Sequence, residues 1–122
     1  MSDIYDRSQW PAPAANPIRV LLERGDEWVT NEELVAALGL SPKRALLSTG
    51  SAFALALRDE DSAIQSRDRV TPSKSVSRAH GGQTRLFSRR AVVLAAMRTS
   101  TINAAAFRDW IADRAAGGLL ED

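Results

Sequence analysis

A chain of 122 residues with 44% hydrophobic and 25% charged side chains is sized for one domain with a modest core. It has no cysteine, which excludes disulfides and thiolate metal sites, and its single histidine, His80, excludes a histidine metal cluster within one chain. Residues 67–98 hold eight basic side chains against one acid, a net +7, while the remainder carries −6; this asymmetry points first to a polyanionic partner.

No apolar run is long enough to span a bilayer, and Asp3 and Asp6 stand where a secretory leader would be basic, so a soluble intracellular protein is expected. Residues 1–16, with Pro11 and Pro13, read as an irregular arm that Trp10 pins to the body. The domain is expected over 17–116. Ile18, Val20, Leu21 and Leu22 form a β-like run. A turn at Arg24-Gly25-Asp26 then leads to Trp28-Val29, predicting a short hairpin. Thr30 and Glu33 have capping-box spacing, Leu34, Val35 and Leu38 share the face of the helix that follows, and Gly39 ends it. Ser41-Pro42 has the chemistry of a helix start, predicting a second helix from Lys43 to Leu57 that loosens near Gly50.

Residues 58–84 are charged and then rich in Ser, Thr and Gly, with Val70 and Val76 alternating weakly. Gly81-Gly82 marks a turn, and Arg85-Leu86-Phe87 reads as the returning strand of a second hairpin. Ser88 caps a helix to Arg98. Phe107, Trp110, Ile111 and Arg114 then define a last helix that Gly117-Gly118 stops, leaving 117–122 frayed. The expected class is α+β, a single small domain with helices packed on short antiparallel hairpins.

Catalytic chemistry is thin, and neither an enzyme nor a cofactor is expected. His80 beside Gly81-Gly82 reads as a solvated loop residue. Asp59-Glu60-Asp61 are contiguous, so their side chains diverge, and a solvated turn is expected rather than a metal cluster. Binding chemistry is richer. Residues 30–57 have helix–turn–helix punctuation, which places Lys43 and Arg44 at the start of a groove-entering helix, although the same spacing serves helical hairpins that never touch DNA. Arg67, Arg69, Lys74, Arg78 and Arg85 fall on a basic segment suited to phosphate contacts. Arg89 and Arg90 occupy a first helical turn, where the macrodipole disfavours cations, a placement that hints at function. Arg98 pairs with an acid such as Asp109, caps helix-end carbonyls, or meets DNA. Phe87, Phe107 and Trp110 have the spacing of core rather than of a base-stacking platform.

The run Ile18-Arg19-Val20-Leu21-Leu22, the Gly25 turn, Trp28-Val29, Glu33-Leu34 and Ala37-Leu38-Gly39 resembles the opening of Bro-N/KilA-N domains. Arg85-Leu86-Phe87, the helix to Met97-Arg98, and Ala104, Phe107 and Trp110-Ile111 resemble their closing half. Together these cover residues 17–114. Ala91 departs from the family's usual glycine, and Glu33 from its common aspartate. The resemblance implies a phage or prophage regulator of antirepressor type acting on duplex DNA in the bacterial cytoplasm. Its alternative is an inhibitor, antirepressor or anti-CRISPR-like, that binds a host regulatory or defence protein. A homodimer stays open under either reading.

Overall fold

The computed structural model describes residues 4–47, 50–73 and 82–121. Lys74, Val76, Arg78, His80 and Gly81 therefore lie outside the described residues, as do Ser48-Thr49. In chain order the elements are α1 (Pro17–Glu23), β1 (Trp28–Thr30), α2 (Asn31–Leu38), α3 (Ala52–Ala56), β2 (Ser62–Ser66), β3 (Arg69–Pro72), β4 (Gln83–Ser88), α4 (Arg89–Arg98) and α5 (Ile102–Glu121). The strands form one antiparallel sheet in the order β1-β4-β2-β3, so the class is α+β.

Local signals hold where they close on themselves. The Thr30 hydroxyl accepts the Glu33 N–H at 3.0 Å, and the Glu33 carboxylate accepts the Thr30 N–H at 3.0 Å, which satisfies two otherwise orphaned donors of α2. Gly39 closes that helix at φ +81, a left-handed conformation that side chains resist. Ser88 caps α4 by accepting the Ala91 N–H at 3.1 Å.

Three expectations about the helices fail, the first two for a visible physical reason. The run 18–22 is helix α1, not a strand. Asn16 accepts the N–H groups of Ile18 and Arg19 at 2.9 and 3.3 Å, and Pro17 presets the first helical position. Ile18 and Leu21, three apart, turn inward, while Val20 between them stays exposed. No hairpin therefore joins 18–22 to Trp28-Val29. Instead β1 pairs with β4, setting Trp28 opposite Ser88, Val29 opposite Phe87 and Thr30 opposite Leu86.

Of the second helix expected from Lys43 to Leu57, only the part beyond Gly50 forms among the described residues. The Arg44 N–H donates to the Ser41 carbonyl at 3.0 Å, closing a turn. The Asn31 side chain then donates to the Arg44 carbonyl at 2.9 Å and accepts the Leu46 N–H at 3.2 Å. A helix would use both groups internally. Only the short α3 forms, capped by Ser51 and preceded by Gly50 at φ +74. Finally, Gly117-Gly118 does not stop α5, which continues to Glu121.

The core joins all layers. Phe87, Phe107, Ile18, Leu34, Leu38 and Val92 are fully buried, each contributing about 1.5–3 kcal/mol of transfer free energy. Phe53 packs on Phe87 with ring centroids 5.6 Å apart. Phe87 and Phe107 lie in the core as expected, whereas Trp110 is half-buried against it, with the guanidiniums of Arg19 and Arg114 over its ring at 4.6 and 5.1 Å. The arm is tied to the body through Arg7, while the indole N–H of Trp10 donates within the arm, to the Ile4 carbonyl at 2.7 Å. Arg7 stacks over the Trp10 ring at 4.7 Å and forms a two-pronged pair with Asp109 on α5 at 2.9 and 3.1 Å.

Candidate nucleic-acid interface

The arginines divide by whether a partner on the protein claims them. Asp61 claims Arg90. Asp61, expected in a solvated turn, is 2% exposed. Of three contiguous acids one turns inward, because neighbouring side chains point apart. Its carboxylate accepts the Arg58 N–H at 2.8 Å and the Ser88 hydroxyl at 2.9 Å, and it pairs with the Arg90 guanidinium. Burial pushes the carboxyl up, but these three contacts outweigh it and hold it below the ordinary carboxylate range. Arg90 thus overcomes the macrodipole through a buried partner, and its position in the first turn of α4 has a structural cause.

Arg85, expected on phosphates, is half-buried within the fold. Its Nη1 donates to the Ser62 hydroxyl at 3.1 Å and the Ser73 carbonyl at 2.7 Å, and burial lowers its pKa. Ser62 in turn donates to the Leu86 carbonyl at 3.2 Å. This side chain fastens β4 across β2 to the end of β3, and so fixes where the β2–β3 hairpin stands.

That hairpin presents two of the arginines that no acid claims. Ser66 pairs with Arg69 across a two-residue turn of Arg67-Asp68. All of β3 is exposed, as are Arg67 and Asp68. Among the described residues neither Arg67 nor Arg69 has an ion-pair partner. Arg67 has φ +55, the one positive φ at a described non-glycine residue. Two-residue hairpin turns favour Asn or Gly there, so an arginine holds the position against local preference.

The other expected contacts scatter. Lys43 and Arg44 sit exposed in the turn after α2 rather than on a helix. Arg89 is exposed on α4 near the Gly25 turn. Arg98 is exposed, and both structural partners expected for it are taken. Arg7 holds Asp109, while Arg108 donates to the carbonyls of Ala96 and Thr99 at 2.8 and 2.7 Å. Among the described residues no group of three or more acids and histidines stands together as a metal site, and no helix is long and apolar enough to cross a membrane. No family model matches the chain, and no curated protein or solved structure matches it significantly.

Proposed function

We propose that the chain is a non-enzymatic DNA-binding regulator that grips duplex phosphates through the β2–β3 hairpin. The order of Bro-N-like sequence motifs favours a phage or prophage origin and an antirepressor-type role. The carrying observation is the pair Arg67 and Arg69. Both are exposed and lack a carboxylate partner among the described residues, and one holds a backbone conformation that side chains disfavour. Arginines with an acid within reach, at positions 7, 19, 24 and 90, are paired with it. An exposed basic hairpin reads backbone and groove shape, which suits regulation by position on DNA. Lys74 and Arg78 follow on the same basic segment of sequence. No recognition helix is invoked, because residues 43–47 form none.

Fluorescence anisotropy with random duplex DNA at about 50 and 200 mM salt tests the reading. Affinity should collapse at the higher salt. Arg67→Ala/Arg69→Ala should lower the salt slope by about two, near 0.9 per lost phosphate contact. An unchanged slope and affinity in that variant would remove the hairpin from the interface. Absence of wild-type binding at both salts would replace DNA with a host protein as the target, sought by pull-down from nuclease-treated lysate.

A further inference from the structure

A cleft of about 470 Å³ opens between the 40–46 segment, α3 and the junction of α4 with α5. Leu46, Phe53 and Ala95 give it apolar walls, while Arg44, Arg98 and Ser100 give it cationic and hydroxyl groups. No carboxylate lines it among the described residues. Neither guanidinium has an ion pair or hydrogen bond among those residues. The backbone of one cation is held, and the other is left uncapped. Asn31 fixes the backbone of Arg44, and Arg108 has taken the helix-end carbonyls that an arginine in the last turn of α4 would otherwise cap. Like charges lining one concavity disfavour each other until an anion joins them, and guanidiniums bind oxyanions in a fork geometry.

We propose that this cleft binds a phosphate monoester carried on a flat apolar body, the chemistry of a nucleotide. Arg44 and Arg98 bridge the phosphate, Ser100 donates to it, and the ring lies against Phe53 and Leu46. A free nucleotide and the phosphorylated end of a nucleic-acid strand share this chemistry. The inference is independent of the hairpin reading, and Arg67→Ala/Arg69→Ala should leave it intact.

Amide NMR titrations with adenosine monophosphate, adenosine, and a duplex with or without a 5′-phosphate provide the test. Monophosphate should shift Phe53, Thr99 and Ser100, and adenosine should bind at least about tenfold more weakly. Arg44→Ala and Arg98→Ala should each weaken binding about tenfold, with Arg98→Lys recovering part of the loss. Both side chains are exposed and unpaired, so melting temperatures should hold. Shifts from the phosphorylated duplex alone would assign the site to strand ends. Equal binding of adenosine and its monophosphate would overturn the proposal in the wild type alone. Silence of the cleft toward every phosphorylated probe would overturn it too, as would undiminished affinity in Arg44→Ala/Arg98→Ala.

Discussion

The two ends of β4 keep their arginines in different company. Where the strand runs into α4, Arg90 meets the buried Asp61, whose carboxylate also takes the Arg58 N–H and the Ser88 hydroxyl. Where the strand begins, Gln83 pairs with Ser66 beside the hairpin turn, and Arg67 and Arg69 stand in solvent with no such acid among the described residues. Both ends contribute arginines to the positive stretch of sequence. The difference lies in one inward carboxylate, which turns an arginine from a surface charge into a part of the fold. Charge density along a chain therefore overstates the interface, because some of it is already neutralised at home.

The sharpest way to break this comparison is to remove the acid. Asp61→Ala should lose about 3 kcal/mol in urea unfolding, since three donors to a buried charged acceptor go unsatisfied or must find water. The hairpin's salt-dependent DNA binding should survive wherever the variant is folded. A loss under about 1 kcal/mol would reduce the Asp61 node to an ordinary surface pair.

Acid sharpens the same contrast with less force. The folded state holds the Asp61 carboxyl below its ordinary value, so its stabilisation is complete above about pH 5 and fades as pH falls through and below about 3.9. Glu33 shifts the same way, through the Thr30 N–H first and Arg24 after it, and contributes in the same window. Asp61→Asn should therefore be less stable at neutral pH and show a shallower acid decline, with the Glu33 share remaining. An unaltered acid profile would mean that Asp61 does not titrate differently in the folded protein.

What was legible in the sequence tracks the reach of each interaction. The α2 capping box, the Gly39 stop and the Ser88 cap span three to four residues or fewer, and pattern alone finds them. Ile18 to Leu22 fits either period, and the deciding signal was present in Asn16-Pro17, an N-cap followed by a proline at the first helical position. The missing helix after Ser41 was not legible, because Asn31 captures its backbone groups from ten or more residues away. Asp61 could have been found by extending the divergence argument: three neighbouring acids cannot all face solvent on a packed turn. The β2–β3 hairpin was illegible for another reason. Its turn is Arg-Asp rather than the Asn-Gly that announces a tight hairpin, and its strands gain their register from β4, some twenty residues on.

That unusual turn gives the smallest and most discriminating prediction, because stability and binding separate at a single residue. Arg67→Ala keeps the left-handed strain of the site and should leave stability within about 0.5 kcal/mol of wild type. Arg67→Gly relieves strain of about 1 kcal/mol, partly offset by the greater freedom of glycine in the unfolded chain, so it should exceed the alanine variant by about 0.5 kcal/mol. Both remove the same guanidinium and should lower the DNA salt slope by the same amount, about 0.9. Parallel urea titrations and anisotropy measurements on the two variants compare them directly. Equal stabilities would deny that the turn holds Arg67 in the left-handed region, whereas wild-type slopes in both would show that its charge faces no phosphate. Greater stability with weaker binding in the glycine variant would mean that the chain keeps an arginine at the tip at the fold's expense, the reverse of Arg90, whose charge serves the fold.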